Sequence, residues 1–106
     1  MPTTRPRSRR LGLQLPVEVW GEDEDDGRAF HESAQTLNIS GGGLCFETGR
    51  RLDIGARLVL EIRLSPSLRA RFGGRARYRV RAVVCRLENF AGEDRFRVGV
   101  RFLGEA

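Results

Sequence analysis

The sequence predicts an all-β domain of five or six antiparallel strands, arranged as a barrel or a sandwich. Three observations predict it. Apolar residues recur at period two in successive segments, the pattern of half-buried strands. Short connections rich in Gly, Pro or acidic residues separate those segments. No long segment places apolar residues at i, i+3, i+4 and i+7 better than an alternating pattern does, so little or no helix is expected. At 106 residues the chain is one domain, long enough to bury a core without disulfides or metal.

Residues 1–10 are the exception. "MPTTRPRSRR" holds four arginines and almost nothing apolar, and is expected to be a flexible arm ahead of a barrel domain over 11–106. From Leu11 the pattern changes. Leu11, Leu13, Leu15, Val17 and Val19 alternate with Gly12, Gln14, Pro16, Glu18 and Trp20. Pro16 lacks an N–H, which predicts an edge position or a bulge in this first strand. The solvated run "GEDEDDGR" then closes a hairpin to a second strand, about Ala29 to Ile39, ending at three glycines.

"GLCFET" is a short apolar piece after the glycines. "ARLVLEIRL" (56–64) puts Leu58, Leu60, Ile62 and Leu64 on one face. "SPSLRARFGG" (65–74) reads as a loop, bounded by Ser-Pro and Gly-Gly. In the long strand from Arg75, Ala76, Tyr78, Val80, Ala82 and Val84 share one face and Arg75, Arg77, Arg79 and Arg81 the other. That arginine face turns apolar at Val83, Cys85 and Leu87, so the strand enters a two-sided environment there or carries a bulge. "ENFAGED" is a turn, and "RFRVGVRFL" closes the domain with Phe96, Val98, Val100 and Phe102 inward.

Catalysis finds little support. His31 is the only histidine, next to Glu32 on a strand whose neighbours face opposite ways. It reads as a solvated or hydrogen-bonded strand residue. Cys45 and Cys85, the only cysteines, each sit among apolar neighbours and read as small core residues in a reducing compartment. Two cysteines and one histidine without a repeated short spacing do not make a usual zinc site. The acidic run 22–26 lacks calcium-loop spacing. No catalytic residue, metal or cofactor is expected. No apolar run is long enough to span a bilayer, and no export signal is legible, so a cytoplasmic protein is expected.

All 19 basic residues are arginine, and the net charge is +5. The informative feature is clustering: Arg5, Arg7, Arg9 and Arg10 fall close together without an acid between them. The separate acidic run argues against a generic nucleic-acid binder. In an antiparallel hairpin, the start of one strand and the end of its partner lie at the same end of the sheet. Strand order alone therefore brings the arm near Asn38, Ser40 and Gly41–Gly43. Guanidinium forks suit phosphates and the guanine edge, and glycines let a base or phosphate approach the main chain. The combination suits a small, anionic, purine-containing ligand.

At this point the residues resemble a known family, the PilZ domain, a bacterial cyclic di-GMP receptor module. "RPRSR" (5–9) has the RxxxR form just before the first strand. "NISGGG" (38–43) has the [D/N]xSxxG form, as Asn38, Ser40 and Gly43. "RAVVCRLE…FRVGVRF" is similar to the family's closing strand pair, with Gly99 in mid-strand. The order and spacing of these pieces carry the resemblance over nearly the whole chain.

The resemblance implies an antiparallel six-stranded PilZ-type β-barrel. It also implies cyclic di-GMP held by Arg5, Arg9, Arg10, Asn38, Ser40 and Gly43, with the arm ordering over the barrel and signalling to a protein partner. Arg10 directly precedes Leu11, yet four residues before it stands Pro6. The working pair is therefore Arg5 with Arg9, or Arg10 in an altered spacing. The alternative is a PilZ-fold interaction module that binds a protein and not the nucleotide. A third reading, a nucleic-acid-binding barrel using Arg75, Arg77, Arg79 and Arg81, is less favoured than a solvated strand face.

Overall fold

The computed structural model describes residues 14–22, 26–89 and 94–106. The expected arm with Arg5, Arg9 and Arg10, the start of the first strand at Leu11 and Leu13, residues 23–25 of the acidic run and residues 90–93 of the last turn lie outside the described residues. Six strands form: β1 (Pro16–Glu22), β2 (Ala29–Ser40), β3 (Gly43–Thr48), β4 (Arg57–Arg63), β5 (Arg77–Asn89) and β6 (Phe96–Glu105). They close into an antiparallel barrel in the order β1-β2-β3-β6-β5-β4. Two three-stranded meanders, β1 to β3 and β4 to β6, are thus joined by two long-range seams, β3–β6 and β1–β4.

Closure changes the expectation for Pro16. It occupies the first position of β1 opposite Gln35, and the β1–β4 pairing begins one residue later at Val17 and Ile62. Its missing N–H therefore removes no bond from that seam.

The alternating residues fill the barrel. Leu58, Leu60, Ile62 and Leu64 are all buried, as are Val17, Val19, Val80, Ala82, Val84, Val98 and Val100. Each buried Val, Leu or Ile among them contributes about 1.5–3 kcal/mol by leaving water, so the period-two pattern sets the register. Phe96, Phe102 and Tyr78 are half-buried and pack against this core, whereas Ala76 precedes β5 and is exposed.

Three bulges interrupt the ladders. Leu37 is the extra residue of β2 against β3, Cys85 of β5 against β6, and Leu103 of β6 against β5. The Cys85 bulge explains the apolar turn in the arginine face of β5. Val84 and Leu87 both turn toward the core, three residues apart, because one residue between them is unmatched. It also corrects the expectation that both cysteines are core residues. Cys45 is buried, but Cys85 is exposed, with its Sγ 3.5 Å from the Gly99 carbonyl oxygen.

Residues 65–74 are more ordered than a plain loop. Pro66–Arg69 (α1) is one helical turn, followed by a 3-10 turn at Ala70–Phe72. Pro66 starts it, where a missing N–H is harmless, and Leu68 anchors it in the core. Gly73, at φ 75°, ends it in the left-handed region.

The three glycines after Ser40 divide in role. At Gly43 an added Cβ would lie 2.2 Å from the Val100 carbonyl oxygen across the β3–β6 seam. At Gly41 and Gly42 it would meet nothing within 4 Å, and neither takes a positive φ. Gly43→Ala is therefore expected to destabilise the fold by about 2 kcal/mol, the scale of a forced overpacking. Gly41→Ala should stay within about 0.5 kcal/mol, as at an unconstrained surface site. Urea denaturation of the two variants checks this contrast.

The bulge predicts a second measurement. Of the two thiols, an exposed Cys85 should react with a chromogenic disulfide reagent in the native protein, and buried Cys45 only after unfolding. Two thiols reacting together under native conditions would contradict the placement.

Candidate site: a glycine-floored groove on the outer barrel wall

The β2 bulge aims the motif residues. Thr36 and Ile39 are both buried although three residues apart. An uninterrupted strand would send them to opposite faces. The extra residue, Leu37, resets the phase, so Asn38 and Ser40 face outward while Ile39 stays in the core. The bulge at Cys85 does the same for Arg86, which would otherwise share the inward phase of Val84.

Two cross-strand rows then meet on the outer face. One runs Asn38, Cys45, Gly99 and Arg86 across β2, β3, β6 and β5. The next runs Ser40, Gly43, Arg101 and Val83. Between them lies a groove of about 290 Å³, with Asn38 and Ser40 on one side and Cys85, Arg86 and Arg101 on the other. Its floor is the backbone of Gly42, Gly43 and Gly99 with the Cys45 side chain beneath. A side chain at Gly99 would crowd the Arg86 Cβ at 3.2 Å and fill that floor.

The rim is held by short polar bonds. The Ser40 hydroxyl accepts the Gly42 N–H at 3.2 Å and lies 3.5 Å from the Gly43 carbonyl. The Phe102 N–H donates to the Gly42 carbonyl at 2.9 Å, tying the turn to β6. Arg86 and Arg101 are exposed and form no ion pair among the described residues. Nearby Glu47 and Glu88 are instead engaged by Arg95 and Arg97. The groove thus offers bare backbone, two small polar side chains and two exposed guanidinium groups, a set that suits a planar anionic ligand.

Asn38, Ser40 and Gly43 are therefore brought together as sequence reasoning expects. The arm arginines lie outside the described residues, but the chain's entry to β1 is fixed. The Leu15 N–H donates to Thr36 Oγ1 at 3.0 Å, and the Thr36 N–H donates to the Leu15 carbonyl at 2.9 Å. Entry thus sits two residues before Asn38 along β2. Arg86 and Arg101 were not singled out from sequence. In a chain whose every basic residue is arginine, an outward strand arginine carries no signal by itself. The usable signal was Gly99, a mid-strand glycine whose neighbours across β6 could be located only through the register.

Two other polar clusters have structural explanations. His31 stacks on Trp20 with centroids 4.7 Å apart, and its Nε2 meets Glu18 Oε1. Ser33 Oγ donates to the same carboxylate at 2.9 Å. That Ser33 bond, with His31 second, holds the Glu18 carboxyl below the usual carboxylate range. Serine and histidine each bind the glutamate and not one another, so this is no nucleophile–base pair. Arg75 pairs with Glu105, and Arg77 and Arg79 with Glu61, which accounts for three of the four arginines on that strand face. Among the described residues no cluster of three or more metal-ligating side chains occurs. A larger cavity, about 620 Å³, lies among Trp20, Val59, Ala82 and Leu103 and shares no residue with the groove. Size alone does not make it the site, because the motif's polar groups converge elsewhere.

Comparison with known proteins agrees with the barrel fold. The inhibitor of motility MotI (DgrA) of Bacillus subtilis superposes with a TM-score of 0.69 at 21% identity, over 98% of this chain and 44% of its own. A structure of YcgR from Escherichia coli, described as a PilZ domain with c-di-GMP, gives a TM-score of 0.59 at 18% identity, over 94% of this chain and 79% of its own. The K. pneumonia MrkH–c-di-GMP complex gives 0.57 at 17%, over 95% of this chain and 45% of its own. The chain therefore spans less than half of the MotI and MrkH chains. No curated protein matches the sequence. The PilZ domain family matches residues 4–105, nearly the whole chain, and the chain belongs to that family.

Proposed function

We propose that this PilZ domain is a cyclic di-GMP receptor whose ligand sits in the glycine-floored groove. The observation that carries the reading is the convergence of Asn38, Ser40 and Gly43 with the guanidinium groups of Arg86 and Arg101, which have no acid partner among the described residues, over bare backbone. The ligand-bound YcgR and MrkH structures support it by likeness of fold. In this reading the Asn38 amide and the Ser40 hydroxyl hydrogen-bond the guanine or phosphate. Gly43 keeps the β3–β6 approach that makes the floor.

The arm supplies the second half of the clasp. From Leu15 back to Arg10 is five residues, up to about 17 Å of extended chain at roughly 3.3 Å per residue. Asn38 is two residues beyond Thr36, where Leu15 is held. Arg10, Arg9 and Arg5 are thus within reach of phosphates and guanine edges. Ordering the arm over the groove is the output, a change of surface read by a protein partner and not a reaction. No helix among the described residues is long and apolar enough to cross a membrane, and we place the receptor in the cytoplasm, without a metal or cofactor. Nucleic acid is not its partner in this reading.

Calorimetric titration with cyclic di-GMP tests the proposal. Saturable heat is expected, and Asn38→Ala or Ser40→Ala should weaken binding by about 2 kcal/mol, the scale of one hydrogen bond to a charged group. Folded protein that gives no heat at tens of micromolar ligand would overturn the receptor reading and favour the nucleotide-independent interaction module.

A further inference from the structure

The family motifs account for one side of the groove and leave the other without a role. That other side is Arg86 on β5 and Arg101 on β6. We infer that these two side chains form a second, rigidly mounted anion-binding wall, which holds the ligand's phosphates from the barrel side. The inference rests on the receptor reading above.

Three observations carry it. First, both guanidinium groups are exposed, and neither is matched by an acid among the described residues, although most other arginines on β5 and β6 are. On those strands Arg77, Arg79 and Arg97 have carboxylate partners, as do Arg75 and Arg95 just ahead of them, whereas Arg81 forms no ion pair among the described residues. Two exposed cations without an acid partner among the described residues leave positive potential open to an anionic ligand.

Second, the backbone is shaped to place them. The Cys85 bulge turns Arg86 outward, and Gly99 opposite it carries no side chain to screen it from the groove. A regular β5 would have buried a guanidinium or moved it off this face. Third, the two arginines are staggered. Arg86 is level with Gly99, and Arg101 lies two residues further along β6. That offset is about 7 Å at the rise of a strand. Such a stagger suits a ligand with two separated anionic groups, as two phosphodiesters are, better than a single phosphate.

The wall is fixed by strand pairing and supplies charge before the ligand arrives, which raises the rate of encounter. Charge-assisted bonds from a guanidinium are short and directional, and loss of one costs about tenfold or more in affinity.

The test uses the full chain and cyclic di-GMP. Arg86→Gln and Arg101→Gln should each weaken binding about tenfold, and the double variant about a hundredfold. Arg57→Gln and Arg81→Gln remove charges that are also exposed but line the other cavity, and should change binding less than about twofold. Arg86→Lys and Arg101→Lys, which keep the charge but lose the fork, should fall between. Thermal melts confirm folding. If a Gln variant fails to melt cooperatively, Met at the same position keeps the aliphatic stem and gives the same comparison.

Wild-type protein that does not bind overturns the receptor reading and this inference with it. Wild-type protein that binds, with Arg86 and Arg101 variants no weaker than the Arg57 and Arg81 controls, overturns the wall alone.

Discussion

The barrel depends on one close approach of backbones, β3 to β6 at Gly43. Each three-stranded meander pairs its own neighbours locally, but neither meander closes without the other. The β3–β6 seam joins strands far apart in sequence, so its closure entropy must be met by contacts formed across it. Those contacts include Leu44, Phe46, Val98 and Val100, all buried. At the end of the seam the Val100 carbonyl comes so near residue 43 that no Cβ fits. The glycine that permits closure also leaves the outer surface bare.

Fold and site are consequently the same problem seen from two sides of one sheet. The inward residues of β2, β3, β5 and β6 make the core, and the outward residues of the same strands make the groove. Period-two alternation alone would have mixed the two sets. Bulges at Leu37 and Cys85 separate them, turning Asn38, Ser40 and Arg86 outward while Ile39 and Leu87 stay with the core. Unpaired residues in a ladder weaken it locally. Their presence in both strands that flank the groove fits a surface shaped for binding.

Much of this architecture was legible in the residues. Leu58 to Leu64 and Val80 to Val84 alternate cleanly because one face meets the core and the other meets water, which is the condition under which pattern reports structure. The Asn38–Gly43 turn was legible because its residue types are unusual in a strand end. The bulge at Cys85 was only half legible. Val83, Cys85 and Leu87 signal a disturbed face, but a two-sided environment gives the same pattern, and so Cys85 read as core. The turn at Pro66–Arg69 was hidden because four residues hold too few apolar positions to show a period. Arg86 and Arg101 were hidden for a different reason. Their meaning lies in the groove they share with Asn38 and Ser40, and that depends on pairing across strands.

Amide NMR of the labelled chain during a cyclic di-GMP titration locates the site. If the ligand sits on the outer wall of β2, β3, β5 and β6, shifts concentrate at residues 38–45, 85–86 and 99–101, while the stacked Trp20 and His31 on the β1–β2 face stay still. Shifts centred on Trp20, Val59 and Leu103, with the groove unmoved, would contradict it.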